Sequence, residues 1–136
     1  MDRGTILFHK KFQFTDGDVG EKLLIILNEP DYKEEEPYLI ARVTSQPKNK
    51  PTNYGCHKNL SLFFIPVNKD FFSKDTWIQL YEIYEIDFKT FVQDRLQYNQ
   101  VEIVGNLDSL TLTHILKCVE LVEDISEQHK RMILRK

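Results

Sequence analysis

Cysteine is scarce: Cys56 and Cys118 are the only two in 136 residues. Two cysteines so far apart, in a chain long enough to build its own core, do not read as a disulfide framework. Glycine and proline are also few, five of each, which excludes collagen-like and low-complexity architectures. No apolar run approaches the roughly 20 residues a membrane-spanning helix needs. The apolar stretch after Met1 ends at His9-Lys10-Lys11 and has no small-residue cleavage site, so it does not read as a signal peptide. Long blocks of one charge sign are missing, and the formal net charge is only −3. That balance argues against a basic or acidic tail, yet leaves room for a local basic patch that meets nucleic acid. Metal-ligand spacing is missing too. There are four histidines, and Cys56-His57 has no second pair to complete a zinc site. The expectation is one soluble, cytoplasmic domain over 1–136, with no metal, no cofactor and no membrane partner.

What the chain does have is aromatic and β-branched residues, which suit a half-buried pleated surface. Gly4 to Phe14 alternates apolar and polar residues in its second half, as a strand does. Thr15 to Gly20 contains Asp16-Gly17, strong turn chemistry, and Lys22 to Asn28 follows as a continuous apolar run of strand length. Together they predict a hairpin whose second strand is buried. Further strands are expected at Tyr38–Ser45, Leu60–Val67 and Thr76–Ile86, and a short one at Val101–Val104. Between them Gln46 to Lys58 reads as a long exposed loop, the kind of segment that often carries function. After Asp87 the period changes: Phe88, Phe91, Val92 and Leu96 fall on one face of a short helix. Leu112, Ile115, Leu116, Val119 and Val122 recur at helical spacing after Asp108 or Ser109, predicting a C-terminal helix over about 108–123. It continues, with a break, toward Met132, and the tail from Lys130 is expected to fray.

The order of these elements resembles the PemK/MazF family, the toxin ribonucleases of bacterial toxin–antitoxin pairs. The likeness is carried by GTILFHKKFQFTDGDVGEKLLIILN at the start and by Tyr38 to Ser45, a strand ending in Thr-Ser. Lys74-Asp75-Thr76-Trp77-Ile78 and Val104-Gly105-Asn106-Leu107-Asp108 add to it. The resemblance implies a mainly β fold with some helix, an SH3-like small β-barrel closed by the C-terminal helix and paired as a homodimer. It also implies a hydrolase that cleaves single-stranded RNA without a metal, using the RNA's own 2′-hydroxyl, and that a protein antitoxin restrains. Where the family has Arg-Pro ahead of its second strand, this chain has Lys22-Leu23, a point charge in place of a fork.

On that reading Lys22 supplies phosphate charge, Thr44 and Ser45 position and donate protons, and His57 is an auxiliary acid or base. Lys48, Lys50, Tyr54 and Lys58 would hold RNA, the lysines on phosphates and the tyrosine on a base. Each residue also has a plainer role. Lys22 can be a solvated strand residue, and Thr44 and Ser45 can end a strand by bonding backbone. The lysine-bearing loop can simply be solvated. His9 and His114 read as structural. Trp77 and the Phe71-Phe72 pair read as core or interface rather than as a stacking platform. The alternative function is an inactive SH3-like barrel that binds RNA or protein.

Overall fold

The computed structural model of the chain describes residues 1–13, 17 and 19–135. Alternating sequence becomes strand where expected. β1 (Thr5–Gln13) and β2 (Val19–Ile26) pair antiparallel from Ile6 opposite Ile25 to Gln13 opposite Val19. The hairpin is therefore present, although Asp16 of its turn lies outside the described residues. β3 (Tyr38–Thr44), β4 (Gly55–His57), β5 (Leu62–Ile65), β6 (Thr76–Ile86) and β7 (Val101–Asn106) complete one seven-stranded sheet. Its order is β4-β5-β6-β3-β2-β1-β7, and its pairs are antiparallel. β4 and β7 are the two edges and do not pair with each other. The sheet is thus open, which corrects the expected closed barrel. Closure requires pairing the two edges in register, and β4 is only three residues long.

Both faces of β1–β3 are buried, which explains the continuous apolar run in β2. Ile6, Ile25, Leu39 and Ala41 join one core, while Leu7, Leu24, Ile26 and Ile40 join a second on the opposite face. Helix α1 (Phe88–Val92), capped by the Asp87 carboxylate on the Thr90 amide, covers the second face with Phe91 and runs on as one π-helical turn, Gln93–Gln97. Helix α2 (Ser109–Leu121) lays Ile115, Cys118 and Val119 on the first face. After a break comes α3 (Glu127–Leu134), whose N-terminal amide at His129 is capped by the Ser126 hydroxyl. α3 is docked rather than frayed, contrary to expectation. Met132 and Ile133 are buried, Arg3 donates to the Ile133 carbonyl at 2.9 Å, and Arg135 forks onto Glu36 at 2.8 and 2.6 Å.

Two features of the Gln46–Lys58 segment were not expected. It contains β4, and Cys56 of that strand forms a disulfide with Cys118 of α2, Cα to Cα 5.4 Å. The separation of 62 residues argued against pairing, but α2 crosses the first face and brings Cys118 under the sheet edge. Among the described residues, no helix is long and apolar enough to cross a membrane.

A candidate functional site where two strands part

Among the described residues, the β2–β3 ladder starts at Leu24 opposite Arg42 and runs through Ile26 opposite Ile40. Beyond Leu24, β2 stays with β1 as far as Val19, while β3 stays with β6 as far as Thr44 opposite Trp77. The two strands therefore diverge and open a cleft of about 490 Å³ between them. Consecutive residues of both strands, Glu21 with Lys22 and Thr44 with Ser45, line this one opening.

The cleft gathers Glu21, Lys22, Thr44, Ser45 and Gln46 from the parting strands, and Phe71, Phe72, Ser73, Lys74 and Thr76 from the far wall. Lys22 spans the gap and donates from Nζ to the Val43 carbonyl at 2.9 Å. Burial, and secondly the nearby Arg42 guanidinium, hold its ammonium below the usual lysine range. Thr44 Oγ1 accepts from the Gln46 amide at 3.2 Å, fixing the turn out of β3. The far wall is firmly tied. Asp75 accepts from the Val67 amide at 2.8 Å, and Asp70 accepts from the amides of Phe71 (2.6 Å) and Asp108 (3.0 Å). Phe72 anchors the loop in the core, while Phe71, Ser73 and Lys74 are exposed.

Of the expected catalytic set, Lys22, Thr44 and Ser45 come together and His57 does not. His57 lies on edge strand β4, three strands from β3, or about 14 Å at ordinary strand spacing. Its Nε2 is 2.8 Å from the Asn53 carbonyl. The expected RNA-binding set is also apart from the cleft. Tyr54 is half-buried, its hydroxyl 2.8 Å from His114 Nδ1, its ring edge-on to Phe63 and beneath the Lys69 ammonium. The Lys69 ammonium occupies the place over that ring that a stacked base would take. Lys48 and Lys58 are solvated, and Lys50 reaches only the Lys48 carbonyl, at 3.5 Å. Trp77 is core, as expected, with Nε1 donating to the Pro51 carbonyl at 2.7 Å.

The cleft residues that sequence reasoning passed over are Glu21, Ser73, Lys74 and Phe71. Lys74 was visible as the start of a family-like strand, but its meeting with Lys22 depends on how the 68–75 loop folds back. His9 is buried, and that burial lowers its pKa despite Asp94 at 3.7 Å. Its Nδ1 accepts from the Lys11 amide at 3.1 Å, a structural role. Among the described residues, no group of three or more His, Cys, Asp or Glu is placed to hold a metal ion. No family model matches this chain, and no curated protein matches it.

Proposed function

We propose that the cleft between β2 and β3 is a phosphodiester site, and that the protein is a metal-independent endoribonuclease of PemK/MazF type acting on single-stranded RNA. One observation carries this reading: two lysines, Lys22 and Lys74, line the same cleft as Thr44, Ser45 and Ser73. Cations beside hydroxyl donors, within a partly desolvated cleft, suit the dianionic phosphorane formed during transesterification.

The chemistry then follows from the residues. The RNA 2′-oxygen attacks the adjacent phosphorus, and the bond from phosphorus to O5′ breaks. This leaves a 2′,3′-cyclic phosphate and a 5′-hydroxyl. Glu21 accepts the 2′-hydroxyl proton. Lys22, whose lowered pKa makes it a better acid than a free lysine, gives a proton to O5′, and exchange with solvent restores both groups. Thr44 and Ser45 donate to the non-bridging oxygens, and Lys74 balances their charge. His57 has no part in this scheme. The family's other properties belong to the same proposal: an SH3-like strand set with the sheet left open, a homodimer, a protein antitoxin over the cleft, and a cytoplasmic place of action, against which the Cys56–Cys118 bond weighs because disulfides are rare in a reducing cytosol.

The second reading, a non-catalytic module binding RNA or protein, is favoured by Lys22-Leu23 where the family has its arginine. One experiment separates the two. A long mixed-sequence single-stranded RNA is incubated with the protein in EDTA, beside Lys22→Ala, Lys74→Ala and His57→Ala. Cleavage giving 5′-hydroxyl ends, lost in the two lysine variants and kept in His57→Ala, supports the ribonuclease. Binding without cleavage, still weakened by the lysine variants, supports the module. Absence of both overturns the site.

A further inference from the structure

Phe71 is an exposed aromatic at the rim of a cleft that holds two lysines. The residue is 41% exposed, whereas its neighbour Phe72 is buried in the core. Scattered exposed apolar residues are ordinary, but this one is held in place. A carboxylate clamps its amide, and the Phe72 ring packs against it edge-on at 5.4 Å between centroids. Beneath it lies Gly105 of β7. A Cβ at that position would fall 2.7 and 2.9 Å from two carbons of the Phe71 ring. Gly105 is not among the positive-φ glycines, so backbone conformation does not call for glycine there. What calls for it is the ring, which takes the place of the missing side chain.

We infer that Phe71, seated on Gly105, is a base-stacking platform that holds a nucleobase of single-stranded RNA while the neighbouring phosphate lies between Lys22 and Lys74. The inference rests on the phosphodiester reading and adds to it the group that distinguishes a nucleic acid from a bare polyanion. A fixed aromatic face loses little entropy when a base stacks on it. Such stacking tolerates any sequence, because every base has a π-face. It also predicts which side of the cleft recognises bases: the 68–75 loop, and not the Gln46–Lys58 loop with Tyr54.

The test uses two short uncleavable single-stranded probes with equal numbers of phosphates, one a 2′-fluoro oligomer with all its bases, the other abasic throughout. Affinities are read by fluorescence anisotropy. The wild-type protein binds the base-bearing probe more tightly. Phe71→Ala weakens that probe by about tenfold and leaves the abasic probe unchanged. Phe71→Trp keeps the preference, and Phe71→Leu does not. Gly105→Ala, which unseats the ring without altering it, reproduces Phe71→Ala. Equal weakening of both probes, or rescue by leucine as complete as by tryptophan, overturns the platform. If the wild-type protein binds both probes equally, the platform falls and the phosphodiester site stands. If it binds neither, both fall.

Discussion

The cleft and the Gln46–Lys58 segment look alike as sequence: each carries lysines, hydroxyl or imidazole groups and an aromatic residue. Their polar atoms are used differently. Along the segment several of the groups are bonded within the fold, while Lys48 and Lys58 stay in solvent. Tyr54 meets His114, His57 meets the Asn53 carbonyl, the Pro51 carbonyl takes the Trp77 proton, and Cys56 is bonded to Cys118. At the cleft the carboxylates of Asp70 and Asp75 hold the backbone, leaving Ser45, Ser73 and Lys74 exposed at the opening. Side chains that stabilise a fold are consumed by it. At the cleft Lys22 and Thr44 are bonded to backbone too, but Ser45, Ser73 and Lys74 remain exposed.

Removing the covalent link gives the largest expected effect on the segment. Cys56→Ala opens a loop of 62 residues and should lower unfolding free energy by about 4 kcal/mol on the chain-entropy account. The measurement is urea unfolding of the variant against the wild type, with and without dithiothreitol. A variant as stable as the oxidised wild type would show that β4 is held by packing alone. On the other side, Lys22→Ala and Thr44→Ala should each reduce RNA cleavage by about a hundredfold or more, with little change in the melting temperature. His57→Ala should stay within about twofold, since a group three strands away from the cleft takes no part in the reaction. An equal loss in His57→Ala would erase the contrast between the regions.

Smaller effects sharpen the comparison. Tyr54→Phe removes one hydrogen bond, so it should cost about 1 kcal/mol of stability and leave affinity for the base-bearing probe unaltered. Weaker RNA binding without loss of stability would move Tyr54 to the functional side. The smallest effect is in pH. The Lys22 ammonium attracts phosphate while protonated, and its pKa lies below the ordinary lysine value because of burial and then Arg42. Affinity is therefore full well below that lowered value and lost as pH rises through it, before a free lysine would discharge. Lys22→Arg stays charged throughout, so it should extend binding into the alkaline range. Parallel pH profiles for the two proteins would show that Lys22 bears no load there.

Strands with clear alternation, such as Thr76–Ile86, and the helix spaced by Ile115 and Val119 were legible because burial repeats along them. β4 was not, since Gly55-Cys56-His57 has no apolar residue to mark it and exists by pairing with Phe63 and Phe64. The disulfide was hidden for a related reason: sequence separation carries no information about where α2 crosses the sheet. The docked tail has its own signals in the sequence, for Ser126 followed by Glu127 suits a helix start and Met132-Ile133 is an apolar pair. Half of the cleft followed from residue order at the ends of β2 and β3. The other half, Phe71 to Lys74, required knowing that Gly105 leaves a seat for a ring.

The disulfide has a topological consequence. It closes a ring running from Cys56 to Cys118, which contains β5, β6, α1 and β7. In the sheet β6 flanks β3 and β7 flanks β1, so the three N-terminal strands are gripped on both sides by one covalent loop. A single cut between Pro47 and Asn53 would divide the protein into a three-stranded peptide and a cyclised clamp. Lys22, Thr44 and Ser45 would lie on one piece, and Phe71, Ser73 and Lys74 on the other. The fold is in that sense a natural split protein, and a cleft rebuilt from its two fragments would report their reassembly.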